Sequence, residues 1–255
     1  MIIAIANQKG GVGKTTTAVN LGACLACRGK RVLLVDCDPQ GNATAGLGLD
    51  GDAPRSTVYD VIVNGTAALD AALPTCQDNL SLLPSTPDLA GAEVELVPVA
   101  EREFRLRNAL AGAATAYEFI LVDCPPSLGL LTVNALAAAD RVIVPVQCEF
   151  LALQGLGHLL QTLDLVRRNL NPHLRLQGLL LTMYDGRTNL SRQVAAEVRS
   201  HFPNTFRAVI PRGVRVSEAP SYGLPLLAYD RASRAAKAYE ALADELLTAT
   251  ATTRG

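Results

Sequence analysis

Apolar runs of strand length recur along the chain, each followed by turn residues and then by a stretch with helical spacing. Residues 2–6 (IIAIA), 31–36 (RVLLVD), 80–84 (LSLLP), 119–123 (FILVD) and 141–146 (RVIVPV) are nearly continuous aliphatic segments. They lack the in–out alternation of a sheet with one wet face, which is the pattern of parallel strands covered on both sides. Further strands are predicted at 176–183, 206–210 and 226–227. Helices are predicted over 16–28, 57–73, 88–98, 101–116, 154–170, 189–202 and 231–248. Strands alternating with helices predict an α/β fold: a twisted, mainly parallel β-sheet with helices on both faces and right-handed crossovers.

Composition narrows this picture. The chain has 255 residues, 49% of them hydrophobic, and no Pro/Ser-rich linker or low-complexity stretch divides it, so a single domain over 1–255 is expected. No apolar run reaches the roughly eighteen residues of a membrane span, and the N-terminus leads directly into a strand; a cytoplasmic protein is expected. Six cysteines and three histidines are present. The close pair Cys24 and Cys27 falls inside the first predicted helix, so the cysteines are expected to be small buried thiols and not zinc ligands.

The formal net charge of −1 hides an asymmetry. Residues 1–150 hold ten Lys/Arg against sixteen Asp/Glu, while 151–255 hold thirteen against eight. Within 166–215, nine arginines face only Asp185 and Glu197. Such a cluster predicts a polyanion-binding face, the alternative being arginines spread over a solvated surface.

The candidate chemistry begins at residues 8–16, QKGGVGKTT. The phosphate-loop pattern G-x-x-x-x-G-K-[ST] places Gln8 where a glycine is usual, yet the loop follows a strand and opens a helix, the arrangement that aims backbone N–H groups at phosphate. Gly10, Gly11, Val12, Gly13, Lys14, Thr15 and Thr16 then form the cradle. Lys14 would reach the β/γ-oxygens and the Thr15 hydroxyl would sit on Mg²⁺. Lys9 is surplus to its own loop, which suggests two nucleotides facing each other across a dimer. Asp36 and Asp38 close the second strand and Asp123 closes the 119–123 strand, so their carboxylates fall at the sheet edge where the phosphate loop sits. Asp123 has the position of a strand-end aspartate that holds Mg²⁺, usually through water.

Five ordered segments carry a family. KGGVGKTT at 9–16, VDCDPQGNAT at 35–44, DCPPSLGLL at 123–131, PVQCE at 145–149 and IPRGVRVSEAP at 210–220 together resemble the ParA/Soj chromosome-partitioning ATPases, whose phosphate loop is called a deviant Walker A motif. The resemblance covers nearly the whole chain and implies a P-loop NTPase fold with ATP and Mg²⁺ as cofactors. It implies that Lys9 contacts the partner subunit's nucleotide, with Gly10 beside it at a dimer interface. By the same resemblance Lys14 acts at the phosphates, Thr15 on the metal, Asp38 on the attacking water and metal shell, and Asp123 near the metal. Pro211 and Arg212 correspond to a loop packed beside adenine, where Gly213 stands in place of the usual asparagine. Arg187 and Arg215 match arginines used for non-specific DNA binding, with Arg212 a third basic candidate. Implied partners are double-stranded DNA, a ParB-type centromere-binding protein and a second copy of the chain, with a nucleoid-associated location and no membrane. Two rivals share the phosphate loop. A MinD-like membrane-cycling ATPase would need a basic amphipathic tail, and the C-terminal LLTATATTRG is Thr/Ala-rich. A nitrogenase-iron-protein-like ATPase would need paired cysteines, for which Cys124 and Cys148 are the candidates.

Overall fold

The computed structural model describes residues 1–51, 55–149 and 152–252. Its strands are β1 (Ile2–Ile5), β2 (Val32–Asp36), β3 (Leu73–Pro74), β4 (Leu80–Leu83), β5 (Phe119–Asp123), β6 (Arg141–Gln147), β7 (Arg175–Tyr184) and β8 (Thr205–Pro211). They form one sheet in the order β3-β4-β2-β5-β1-β6-β7-β8. All neighbours run parallel except β3, a two-residue edge strand antiparallel to β4.

Continuous aliphatic strands build two cores at once, because successive side chains leave a strand on opposite faces. Ala4, Leu33, Val35, Ile120 and Val122 enter one buried cluster. Their neighbours Ile3, Ile5, Val32, Leu34 and Leu121 enter the other. Truncating one of these, Leu121→Ala for instance, should cost about 2–5 kcal/mol. The helix Lys14–Cys27 lies on the second face, where a side chain at Gly22 would come within 3.3 Å of Leu80 Cδ1. That close seating fixes the height at which the helix begins, and hence the phosphate loop before it.

Several predicted elements are redrawn. Residues 226–227 are not a strand but the start of a helical turn, Leu226–Tyr229: the Leu226 N–H donates to Asn20 Oδ1 at 2.7 Å, and both leucines bury their side chains. The predicted helix 57–73 breaks at Gly65 (φ 76) into a wide turn, Asp60–Asn64, and a short helix, Ala68–Ala71, before β3. The predicted helix 101–116 is three pieces, Arg102–Phe104, Arg105–Leu110 and Ala113–Ala116. The helix Leu130–Ala138 escapes prediction because it is buried on nearly every side and so carries no amphipathic period. Of the six cysteines, Cys24, Cys37, Cys124 and Cys148 are buried as expected, whereas Cys27 and Cys76 are exposed. No helix among the described residues is long and apolar enough to cross a membrane.

Candidate nucleotide site

Register brings the chemistry together. Ile5 of β1 lies opposite Asp123 of β5, and Asp123 opposite Asp36 of β2, so three adjacent strands end at one level, where the chain turns into the phosphate loop. Asn7 ties the loop's start: its side-chain amide donates to Pro145 O at 2.6 Å, and its Oδ1 accepts from the Lys9 N–H at 3.0 Å. The Thr182 hydroxyl of β7 donates to Val12 O at 2.8 Å, pinning the middle of the loop to the sheet. Gly13 precedes the helix in a left-handed conformation (φ 89) that favours glycine. The helix Lys14–Cys27 therefore starts with no side-chain cap, its first N–H groups unclaimed by a capping residue.

Lys14 is buried, and its ammonium donates to Lys9 O at 3.2 Å. Burial pulls its pKa below the ordinary value, against the pull of Asp123, Cys124 and Asp38. Lys9 stays half-exposed and turns its Nζ toward Glu149 Oε2 at 3.9 Å. A Cβ on Gly10 would meet only Pro126 Cβ, at 4.0 Å, so this position has room within its own chain.

Beside the loop lie three carboxylates in different states of satisfaction. Asp36 accepts from both the N–H and the hydroxyl of Thr44, at 2.8 and 2.7 Å, and Thr44 Oγ1 in turn accepts from the Ser85 N–H. Burial still pushes the Asp36 carboxyl up to about 6, with these hydrogen bonds working against the rise. Asp38, also buried, accepts from the Gln40 N–H at 3.0 Å, a local turn that leaves its second oxygen uncommitted by that bond. Asp123 is fully buried, and neither of its oxygens has a hydrogen-bond partner among the described residues. Desolvation, then the Asp36 charge, raise it well above the ordinary carboxylate value; the nearby Thr15 hydroxyl and Lys14 pull the other way.

A buried carboxylate with two orphaned oxygens requires a cation, an ordered water or a proton. With the Thr15 hydroxyl and Asp38 close by, the donor set is all oxygen and sparse. No group of three or more His, Cys, Asp or Glu among the described residues could cage a metal. Few protein oxygens, the rest coming from water and phosphate, is how Mg²⁺ is commonly held, so the residues fit that ion.

Next to the loop, a cavity of about 340 Å³ is lined by Gly13, Thr16, Thr182, Pro211, Arg212, Gly213 and Tyr239, among others. Pro211, at the end of β8, thus shares a cavity with Gly13 and Thr16 of the phosphate loop. A second cavity, of about 390 Å³, is bounded by Tyr184, Asp185, Arg187, Arg212 and Arg234. Arg212 lines both, and its N–H donates to Tyr184 O at 3.1 Å. Arg187 is 90% exposed and holds Asp185 with two bonds, Nε to Oδ1 at 2.9 Å and Nη2 to Oδ2 at 2.8 Å, which depresses the Asp185 carboxyl to about 2. Arg215 itself lines neither cavity, although Val214, Val216 and Ser217 beside it line the first; its side chain is bridged to Glu218 at 2.9 Å and Asp230 at 3.5 Å and lies over the Tyr229 ring.

Sequence reasoning passed over Asn7, Thr44, Thr182, Glu149 and Arg234 as site-builders. Glu149 had a signal, since it closes the PVQCE segment, and it pairs with Lys9 and with Arg212 at 3.4 Å. Thr182 had none, being one polar residue inside an apolar strand.

A glycine-rich loop between β1 and a helix, flanked by strand-end aspartates on a mostly parallel sheet, defines a P-loop nucleotide-binding protein of the deviant Walker A type. The AAA domain family model matches residues 1–176. Sporulation initiation inhibitor protein Soj of Bacillus subtilis is 56% identical over 246 residues, 96% of this chain and 97% of that protein. Chromosome partitioning protein ParA of Myxococcus xanthus is 53% identical over 247 residues, 96% of this chain and 87% of that one. A crystal structure of cobyrinic acid a,c-diamide synthase from Mycobacterium smegmatis, with bound ATP analogue and magnesium, matches with TM-score 0.87 at 42% identity, covering 99% of this chain and 96% of that one. The chain belongs to the Soj/ParA family of chromosome-partitioning ATPases.

Proposed function

We propose that the protein is an Mg²⁺-dependent ATPase of DNA partition, in which ATP closes a sandwich dimer, the dimer binds double-stranded DNA without sequence preference, and a ParB-type partner stimulates hydrolysis and release. The observation that supports this best is an aspartate pair beside a buried Lys14, Asp123 at the end of β5 and Asp38 in the loop after β2: Asp38 has an oxygen available to orient water, and Asp123 has two orphaned oxygens suited to a metal shell. Mg²⁺ bound with the nucleotide supplies positive charge at the β/γ-oxygens. Lys14 adds a second charge there, at an energy cost already met by burying it among the aspartates. The Thr15 hydroxyl, Asp38 and Asp123 would hold the metal. Asp36 is spent on Thr44 and serves as support. Pro211, Arg212 and Gly213 border the space for the base, where glycine offers only backbone.

Lys9 acts across the dimer in this scheme. Its Nζ is held only loosely, at 3.9 Å from Glu149, and a charge at the loop's outer end is placed for a neighbour's phosphate. Arg187, Arg212 and Arg215 contact DNA phosphates, and pairing two subunits doubles the basic face, so nucleotide controls DNA affinity without touching DNA. One domain, a cytoplasmic and nucleoid-associated location and no membrane partner complete the proposal.

Sedimentation of two variants with ATP tests the dimer step. Asp38→Ala should bind ATP and accumulate as dimer while hydrolysing about 10²–10³-fold more slowly, since only transition-state assistance is lost. A Cβ at Gly10 meets only Pro126 Cβ, at 4.0 Å, so Gly10→Val should still bind ATP, while its branched side chain should block the approach of the second subunit's loop. A Gly10→Val dimer as strong as wild type would overturn the close approach of two loops at Gly10.

A further inference from the structure

Arg215 sits on a short segment, Val214–Glu218, that continues through Ala219–Tyr222 to Gly223. The loop bearing Asp38 continues through the short helix Asn42–Gly46 to Gly48. These stretches, some 175 residues apart in sequence, meet backbone to backbone. A Cβ built on Gly223 would lie 2.8 Å from Gly48 Cα, closer than real Cβ atoms approach backbone, and 3.0 Å from Gly48 N. Both glycines adopt left-handed conformations, φ 71 at Gly48 and φ 65 at Gly223. Just beyond, a Cβ on Gly46 would rest 3.7 Å from Pro220 Cβ.

At the far end of each stretch the charged groups are anchored. Asp36 fixes Thr44, and through it the helix Asn42–Gly46, at the level of the phosphate site. On the other side, Glu218 accepts from Arg215 and from the Tyr229 hydroxyl, so the arginine is held by its own segment. A displacement of the Asp38 loop therefore has a direct mechanical route to Arg215, with no soft side chain between the two backbones. Contacts of this kind transmit discrete shifts because backbone cannot yield as a rotamer can.

We infer that the Gly48–Gly223 contact couples the Asp38 loop to Arg215, so that nucleotide state sets the position of this arginine within each subunit, in addition to any effect of pairing two subunits. Gly48 and Gly223 are positioning residues in this scheme, which rests on the DNA switch proposed above. The two glycines are not equivalent. A Cβ on Gly48 would meet Gly223 Cα only at 3.4 Å, so Gly48→Ala strains its own backbone but nearly fits, whereas Gly223→Ala must push the loops apart. Gly65, at φ 76 with nothing within 4 Å, supplies a variant with the same backbone strain and no collision.

The test uses the full chain and two readouts. The first is the ratio of affinities for arbitrary duplex DNA with a non-hydrolysable ATP analogue and with ADP. The second, independent of DNA, is hydrogen exchange across 214–223 with and without the analogue. Gly223→Ala is expected to keep analogue binding and dimerisation, to lose at least about fivefold of the affinity ratio, and to lose the exchange response. Gly65→Ala should lose stability alone and keep both. An unchanged ratio and response in Gly223→Ala, or a wild-type 214–223 segment whose exchange ignores nucleotide, overturns the coupling. If wild-type exchange responds and depends on Gly223 while DNA affinity ignores nucleotide, the coupling stands and the DNA switch fails.

Discussion

The phosphate edge of the sheet and the arginine-rich stretch 166–215 are both charged, yet they treat charge in opposite ways. At the phosphate edge, Lys14, Asp36, Asp38 and Asp123 are buried, and one of them, Asp123, has no hydrogen-bond partner among the described residues. In the arginine stretch the side chains are exposed, and four are paired with carboxylates among the described residues: Arg167 with Asp164, Arg187 with Asp185, Arg212 with Glu149, and Arg215 with Glu218 and Asp230. Of those acidic partners only Asp185 lies inside the 166–215 window. Counting charge along the chain therefore overstated the cation that this face offers, because the counter-charges come from other stretches folded against it. The phosphate edge pays in stability for a site poised to bind; the basic face holds its arginines in exposed pairs that cost little to open.

The largest expected effect falls at the buried end. Lys14→Ala removes a buried charge that no other side chain replaces, so Mg²⁺–ATP affinity should drop by about a hundredfold or more, measured by calorimetry. Retained wild-type affinity would remove Lys14 from the site. Next comes the basic face. Arg215→Ala, which removes one arginine per subunit, should flatten the log–log salt dependence of DNA binding by about two units per dimer, leaving DNA-free ATPase activity intact. An unchanged slope would make this face merely solvated.

These two regions were also unequally legible in the sequence. The phosphate loop, the Asp38 and Asp123 strand ends and the two-faced sheet follow from short-range rules: strand, glycine turn and helix in succession, with aspartates at strand ends. Their register, which aligns Ile5, Asp36 and Asp123, confirms the expected edge. What stayed hidden depends on distant pairing. Thr182 reaches Val12, Asn20 holds Leu226 and turns an apolar pair from strand to helix, and Glu149 meets Arg212. The helix Leu130–Ala138 was invisible for another reason, since a wholly buried helix shows no polar face.

A stability effect sharpens the contrast further. Asp123→Asn removes a carboxylate charge that burial and the neighbouring Asp36 disfavour, so above the ordinary carboxylate range the nucleotide-free protein should gain about 1–3 kcal/mol, a rise in Tm of several degrees, while losing ATPase activity. A fall in Tm would mean that the carboxylate is satisfied after all. The smallest effect belongs to the exposed pair. Asp185→Asn should free Arg187 and raise DNA affinity by a few-fold, seen by fluorescence anisotropy. The sign of its pH dependence follows from a folded-state pKa of about 2, below the ordinary 3.8: the pair's contribution is complete above the ordinary carboxylate range and is lost only as pH falls toward 2. Between about pH 5 and 8 this pair should therefore contribute no pH dependence to DNA binding. A DNA affinity unchanged in Asp185→Asn would show that Asp185 does not hold Arg187 back.

Central to all of this is that a nucleotide bound at the buried edge governs the exposed one. The direct measurement is retardation of an arbitrary duplex by the wild-type protein with ATP–Mg²⁺, with ADP–Mg²⁺ and without nucleotide, at several salt concentrations. Tight, steeply salt-dependent binding with ATP and about tenfold or weaker binding in the other two conditions is the expected result. Equal binding in all three would contradict it.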